Sequence, residues 1–198
     1  MLVLFLLAMA PPPGFVDLAV RIPTLQEHIG YHTPQNFTGA PLPGYGAAHA
    51  WMLAPAAEAL AKVQSDLALR GLGLLVYDAY RPQRASRAML EWAKREDKVE
   101  LFRQGYIASK SGHNHGHTVD LTLVDLKTSV ALDMGTAWDT LDMRANTENA
   151  SGAALANRHQ LRDAMVKRGF RPYAKEWWHF TFPIAGTEPL DVPYGDQE

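Results

Sequence analysis

The sequence contains no cysteine among its 198 residues. This absence excludes disulfide bonds, thiolate zinc sites and cysteine nucleophiles. Any bound metal must therefore be held by histidine, aspartate or glutamate. A chain of this length can bury about 70 % of the surface that its unfolded form exposes, so it does not need a metal in order to fold.

The sequence also lacks a large excess of positive or negative charge. Charged residues make up 20 % of the chain, and the formal net charge is -2. No strong electrostatic field is therefore available to attract nucleic acid or an acidic membrane. We expect a small, roughly neutral partner and no nucleic acid, and the sequence indicates no oligomeric state.

No apolar run is long enough to cross a bilayer. The chain begins with a short apolar stretch that ends in Ala8-Met9-Ala10, which resembles the apolar region and cleavage site of a signal peptide. Against cleavage, no Lys or Arg precedes the stretch and Pro11 follows it directly. We predict a leader-like segment at 1–13 and one domain at 14–198. Use of the leader would place the protein in the periplasm or cell envelope, and the alternative location is the cytoplasm.

Apolar residues recur at helical spacing in some segments and form short runs in others. The predicted helices run from Pro55 to a stop at Gly71, from Gln83 to about Glu96, and over 153–167, and the predicted strands are 72–80, 118–126 and 177–182. A loop rich in Pro, Gly and Asn is predicted at 33–46. Because strands and helices do not alternate regularly, we predict an α+β fold in one domain.

Histidines and carboxylates cluster where two of these strands begin. The candidate metal ligands are His113, His115, His117, Asp120, Glu176 and His179. Two histidines and a carboxylate with an open fourth position are a usual arrangement for catalytic zinc. In a regular strand the three histidines at 113–117 would share one face, but Gly116 favours a turn there, so periodicity does not choose among them. A polar loop with three solvated histidines is the alternative.

The segment EWWH places Glu176 three residues before His179. In a helical turn both side chains would face one way, whereas in a regular strand they would face opposite sides. We therefore expect a kink where this strand begins. A carboxylate beside a metal-bound water can act as a general base. The alternative is a surface glutamate next to core aromatics, and we interpret Trp177 and Trp178 as core or pocket-wall residues.

The segment YDAYRP places Asp78 and Arg81 at the end of a predicted buried strand. An arginine at such a position can stabilise an oxyanion or hold a carboxylate with its fork of donors. A structural ion pair between Arg81 and Asp78 is the alternative.

Four motifs, in this order, resemble the zinc D-alanyl-D-alanine dipeptidases of the VanX type. They are YDAYRP (77–82), SGHNHGHTVDLTL (111–123), DMGTAWD (133–139) and EWWHF (176–180). The resemblance extends from about Phe15 to Phe182. It implies a mostly antiparallel central sheet flanked by helices, as in the hedgehog and D,D-peptidase folds, and it makes 14–198 a zinc dipeptidase domain.

The family pattern Ser-x-His-x-x-Gly-x-x-x-Asp, followed later by Glu-x-x-His, assigns roles to the candidate residues. The resemblance implies that one Zn²⁺ is bound by His113, Asp120 and His179. It also implies that Glu176 is the catalytic base and that Arg81 stabilises the transition state. His115 and His117 fall on non-ligand positions of the pattern.

The resemblance extends to the substrate. Asp139 matches a position associated with the free ammonium group, and Ser111, Tyr31 and Tyr45 match positions near the bound dipeptide. His117 and Thr118 depart from the family pattern, which usually has small residues there. His117 is bulky enough to change the edge of the pocket or to compete for the metal. The implied reaction is hydrolysis of D-alanyl-D-alanine, a small D,D-dipeptide, to free D-alanine.

Two other functions fit the same residues. One is a related zinc D,D-carboxypeptidase or L,D-endopeptidase that acts on cell-wall peptides and needs an open cleft. The other is a zinc-stabilised binding module without turnover. The presence of both Glu176 and Arg81 disfavours the binding module, because a structural zinc site has no use for either residue.

Overall fold

The structure, a computed structural model, describes residues 10–195. Its helices are α1 (Leu18–Arg21), α2 (Ala54–Ala68), α3 (Gln83–Arg95), α4 (Glu100–Arg103) and α5 (Gly152–Lys167). Its strands are β1 (Phe15–Asp17), β2 (Gln26–Glu27), β3 (Trp51–Leu53), β4 (Leu72–Asp78), β5 (Thr118–Asp125), β6 (Arg171–Tyr173) and β7 (Glu176–Thr181). Most of the predicted leader lies outside the described residues, so its boundary stays a prediction.

Five strands form the main sheet in the order β2-β4-β5-β7-β6. β2 pairs parallel with β4, and the other neighbouring pairs are antiparallel. β1 and β3 form a separate antiparallel pair. Helix α2 packs against β4 and α5, and α5 also contacts β5, β6 and β7. The predicted α+β fold, with a mostly antiparallel central sheet and flanking helices, is confirmed.

Helix α2 forms because it has an apolar stripe that faces β4 and α5. In α2, Leu60, Val63 and Leu67 are buried along one side, as their spacing requires. Pro55 stands in the first turn of α2, where its missing N–H removes no helical hydrogen bond. The side chains of these helices and of the sheet belong to one continuous hydrophobic core.

The predicted strand at 72–80 is wrong at its end, because β4 stops at Asp78. The next residues leave the sheet to make other backbone hydrogen bonds: the N–H of Tyr80 donates to Trp51 O (2.9 Å), and the N–H of Arg81 donates to His113 O (3.0 Å). These bonds hold Arg81 beside the histidine segment.

The strand registers align three polar residues across the centre of the sheet. Asp120 in β5 pairs directly with His179 in β7, and on its other side it pairs with Asp78 in β4. The pairing of β4 with β5 shifts by one residue at Tyr77. This bulge brings Asp78, instead of Tyr77, opposite Asp120, and bulges of this kind recur beside active sites.

Among the residues that the structure describes, no helix combines the length and apolar character that a membrane crossing requires.

Candidate metal centre and active site

Three side chains converge at the centre of this row. Oδ1 of Asp120 lies 3.2 Å from Nε2 of His113 and 3.0 Å from Nδ1 of His179. The two histidine nitrogens are 3.4 Å apart. These three residues form a group whose ligand atoms could hold one metal ion. His115 and His117 are not part of this group.

His113 is fixed by the short 3-10 helix Gly112–His115. Oγ of Ser111 accepts a hydrogen bond from the N–H of His113 and thereby caps the turn. Gly116 ends the turn with φ of 73°, a left-handed conformation that favours glycine. Nδ1 of His113 lies 2.6 Å from the carbonyl oxygen of Ala79. A proton on Nδ1 satisfies this bond and leaves the lone pair of Nε2 for a metal.

Asp120 and His179 are held by their positions on neighbouring strands. The indole N–H of Trp138 donates to Oδ2 of Asp120 at 3.4 Å, so Oδ1 is the oxygen directed at the histidines. Although burial opposes it, the neighbouring His113 and His179 hold the pKa of Asp120 well below its usual range. Burial also opposes the charged form of His179, but the hydrogen bond and charge of Asp120 raise the pKa of this histidine.

The three ligand atoms fit a tetrahedral zinc ion. Zinc bonds of about 2.0 to 2.1 Å place neighbouring ligand atoms about 3.3 Å apart, and the distances here are 3.0, 3.2 and 3.4 Å. Two imidazoles and one carboxylate are also a usual zinc donor set. Three protein ligands leave the fourth position for water or substrate.

Glu176 is the first residue of β7, after a two-residue turn that joins β6 to β7. Regular pairing would place His179 opposite Tyr173, but Tyr173 pairs with Glu176 instead. This irregularity is the expected kink, and it brings Oε2 of Glu176 to 3.4 Å from Nδ1 of His179. Burial, opposed by the charge of His179, raises the pKa of Glu176 to about 7. Glu176 is 8 % exposed and is therefore not a surface residue.

Arg81 fits both interpretations of its motif. Its Nε and Nη2 donate to Oδ2 of Asp78 at 2.9 and 2.8 Å, so the structural ion pair exists. Arg81 also lines the cavity next to the three candidate ligands. Its guanidinium lies over the ring of Tyr31, 5.0 Å from the ring centre, which adds a cation–π contact.

The candidate ligands open on a cavity of about 310 Å³, near the lower end of the usual range for small-ligand pockets. Its lining includes Tyr31, Arg81, Lys110, Ser111, His113, Asp120, Asp139, Glu176, Trp178 and His179. Trp177 and Trp178 are buried, as predicted, and Trp178 is the one that faces the cavity. Tyr45 is not among the lining residues, and its hydroxyl group donates to Oδ1 of Asp78 at 2.5 Å.

Asp139 stands in the cavity wall with one carboxyl oxygen that has no hydrogen-bond partner among the described residues. Its backbone has φ of 59°, an uncommon left-handed conformation for a residue other than glycine. Its Oδ2 is buried and has no hydrogen-bond partner among the described residues. Burial and the charge of Asp120 raise the pKa of Asp139 well above its usual range. A cationic group in the cavity would relieve both costs.

The side chains of His115 and His117 make contacts away from the candidate metal ligands. Nδ1 of His115 lies 3.0 Å from Oγ1 of Thr187. The ring of His117 lies 5.5 Å from that of His115, and burial together with His115 lowers the pKa of His117. Their exclusion from the candidate ligand group agrees with their non-ligand positions in the motif.

Two supporting residues were missed in the sequence. Asn114 is buried, and its amide donates to Arg81 O (2.8 Å) and to Oγ of Ser86 (3.0 Å). It also completes the capping box of the histidine turn with Ser111, and the spacing Ser-x-x-Asn was a signal for that. Trp138, which donates to Asp120, gave no signal, because its partner lies on another element.

Comparison with known proteins adds an independent finding. A family model described as D-ala-D-ala dipeptidase matches residues 12–197. The chain is 35 % identical to a D-alanyl-D-alanine dipeptidase of Enterococcus faecium, over 92 % of this chain and 96 % of the relative. It is 38 % identical to proteins of the same name from Escherichia coli, over 92 % and 91 % of the two chains, and from Streptomyces coelicolor, over 76 % and 82 %. The chain belongs to the D-alanyl-D-alanine dipeptidase family of hydrolytic enzymes.

Proposed function

We propose that this protein is a zinc-dependent dipeptidase that hydrolyses D-alanyl-D-alanine to two molecules of D-alanine. The observation that carries this proposal is the triangle of His113, Asp120 and His179 with the buried carboxylate of Glu176 beside it. The names of the relatives support the same substrate.

His113, Asp120 and His179 would together hold one zinc ion per chain. When bound, zinc supplies Lewis-acid chemistry: it polarises a carbonyl oxygen and lowers the pKa of water. The protein residues around this site then have to move one proton and stabilise one negative charge.

Glu176 is placed to move the proton. Its Oε2 lies 3.4 Å from Nδ1 of the candidate ligand His179, so the carboxylate stands beside the candidate zinc site, where a general base has to lie. In our proposal Oε2 accepts a proton from water as the hydroxide oxygen bonds to the carbonyl carbon. Glu176 then gives this proton to the amine nitrogen as the carbon–nitrogen bond breaks.

Arg81 and Asp139 would recognise charge at two places on the reacting dipeptide. Arg81 lines the cavity, and its N–H groups that are not bonded to Asp78 would donate to the oxyanion that forms at the carbonyl. Oδ2 of Asp139, buried without a partner among the described residues, would accept the ammonium group of the substrate. Ser111 and Tyr31 line the same cavity and would limit its size around the dipeptide.

The test is a hydrolysis panel with D-alanyl-D-alanine, L-alanyl-L-alanine and a muramyl pentapeptide that ends in D-alanyl-D-alanine. We expect release of D-alanine from the D,D-dipeptide alone, loss of activity with a chelator and recovery with zinc. Release of D-alanine only from the pentapeptide would contradict the proposal and favour the carboxypeptidase. Stable zinc binding without any hydrolysis would favour the binding module.

A further inference from the structure

A buried hydrogen-bonded chain lies behind the cavity and connects Tyr45 to Arg81. The hydroxyl group of Tyr45 donates to Oδ1 of Asp78 at 2.5 Å. The other oxygen of Asp78 accepts from Nε and Nη2 of Arg81 at 2.9 and 2.8 Å. The exposed fractions are 2 % for Tyr45, 1 % for Asp78 and 7 % for Arg81. Arg81 is the one of the three that lines the cavity.

We propose that Tyr45 and Asp78 are positioning residues that orient Arg81 for the reaction, and that Tyr45 acts without touching the substrate. This inference rests on the proposed function, in which Arg81 meets the developing oxyanion. In this proposal Tyr45 supports the site from outside the cavity, whereas the sequence predicts it near the dipeptide.

The geometry gives each partner a defined task. An arginine side chain has many rotamers, and a carboxylate oxygen that accepts from both Nε and Nη2 restricts the position of that edge of the guanidinium. The carboxylate of Asp78 must itself be held, because rotation about its Cβ–Cγ bond would displace this oxygen. The hydrogen bond from Tyr45 to Oδ1 opposes that rotation.

Other charged and titratable groups face the same carboxylate but do not replace Tyr45. Nδ1 of His113 lies 3.3 Å from Oδ2 of Asp78, yet it is closer to the carbonyl oxygen of Ala79, at 2.6 Å. Asp120 pairs with Asp78 on the neighbouring strand and has its Oδ2 3.8 Å from Nη2 of Arg81, but as a carboxylate it repels Asp78. The hydroxyl group of Tyr45 is therefore the donor that holds Oδ1.

The substitution Tyr45→Phe tests the proposal, because it removes the hydroxyl group and keeps the ring that packs against Tyr31 and Tyr194. With the zinc-loaded variant and D-alanyl-D-alanine, we expect kcat to fall about tenfold and KM to change less than twofold. Zinc content should stay at one per chain. Affinity for a phosphinate analogue of the dipeptide, which mimics the tetrahedral transition state, should fall about as much as kcat.

A double-mutant cycle separates positioning from substrate contact. If Tyr45 acts through Arg81, then Tyr45→Phe causes no further loss of kcat in an Arg81→Ala background. If the fold-losses of kcat in the two single variants multiply in the double variant, the proposal is overturned. It is also overturned if Tyr45→Phe alone raises KM and leaves kcat unchanged.

Tyr194→Phe is the matched control. Tyr194 is equally buried and stacks on Tyr45, but its hydroxyl group bonds to the backbone of Tyr80 and Trp51. We expect it to lower thermal stability without lowering kcat. An equal loss of kcat in both variants would overturn the positioning role. If the wild-type protein fails to hydrolyse D-alanyl-D-alanine, the proposed function itself is wrong, and this result is distinct from any pattern among the variants.

Discussion

Glu176 is a buried carboxylate that the proposed reaction needs but that metal binding does not. Replacing it by its neutral isostere, Glu176→Gln, should keep one zinc per chain, because the three ligand atoms belong to other residues. Hydrolysis should fall at least about 100-fold, as expected for loss of a general base. Zinc content by elemental analysis and kcat with D-alanyl-D-alanine measure the two effects, and the exposed Glu188→Gln serves as control.

His113 should behave differently from Glu176. His113→Ala removes one of the three candidate ligands and breaks the hydrogen bond to Ala79, so we expect it to lose both zinc and hydrolysis. Normal turnover in Glu176→Gln would show that another group accepts the proton. Full zinc content in His113→Ala would show that the metal is held elsewhere.

The turn that presents His113 depends on Gly116 as an element of local structure. A Cβ at Gly116 would lie 1.9 Å from a ring carbon of Phe15, and the residue has φ of +73°. Gly71 has nearly the same φ, +72°, but a Cβ there meets nothing within 4 Å. Gly116→Ala therefore combines left-handed strain with a clash, whereas Gly71→Ala has the strain alone.

We expect Gly71→Ala to lower the free energy of unfolding by about 1 kcal/mol and Gly116→Ala by about 3 kcal/mol or more. Urea unfolding of both variants measures this difference. Gly116→Ala should also weaken zinc binding, because the ring of Phe15 or the histidine turn has to move. Equal stability of the two variants would show that the ring of Phe15 moves away from the added Cβ without lowering the free energy of unfolding.

Strand β2 contains a residue, Glu27, whose ionisation makes the stability of the protein depend on pH. This residue is separate from the candidate active site. Burial, together with the charge of Asp17, raises the pKa of Glu27 from its ordinary value of 4.5 to about 7. The folded state then binds more protons than the unfolded state between these two values. Stability is therefore highest at low pH in this window and falls as the pH rises toward 7.

Glu27→Gln should remove this dependence. Relative to the variant, the wild-type protein should lose about 1 to 2 kcal/mol between pH 4.5 and 7, a range reduced to allow for partial exposure of Glu27. Urea titrations at several pH values measure it, with Glu188→Gln as control. A wild-type protein that gains stability relative to Glu27→Gln over this window would reverse the predicted sign.

The sequence predicts elements that rest on local patterns. The apolar stripe of α2 and the alternating residues of β5 are visible along the chain, and both elements form close to the predicted bounds. Strands β1, β2, β3 and β6 have two or three residues each, so they give no periodic signal. Their formation depends on pairing with distant segments, which a local pattern does not contain.

The candidate site was predictable to a similar degree. The motifs named its residues, but spacing alone did not choose His113 over its neighbours or show how Glu176 reaches His179. Those outcomes depend on the bulge at Tyr77, the irregular pairing of Tyr173 and the cap from Ser111. The first two features depend on pairing between strands, whereas the cap is local and its Ser-x-x-Asn spacing is visible in the sequence.

On the scale of the whole molecule, the hydrophobic core and the candidate metal site make separate contributions to stability. The core joins the helices and the sheet without any metal. In the metal-free protein Asp120 still has His113 and His179 as partners, so its charge is not left isolated. We therefore expect the protein to remain folded after zinc is removed, but with lower stability.

The size of this loss follows from linkage between binding and folding. Free zinc at about 1,000 times its Kd stabilises the folded state by about 4 kcal/mol. For a domain of this size each kcal/mol shifts Tm by about 2 to 4 °C, so calorimetry should show Tm falling by about 8 to 16 °C after chelation. Zinc should restore Tm in the wild-type protein and in Glu176→Gln, but not in His113→Ala. Complete unfolding at 25 °C after chelation would mean that the core cannot hold the fold alone, and an unchanged Tm would mean that His113, Asp120 and His179 do not bind zinc in the folded protein.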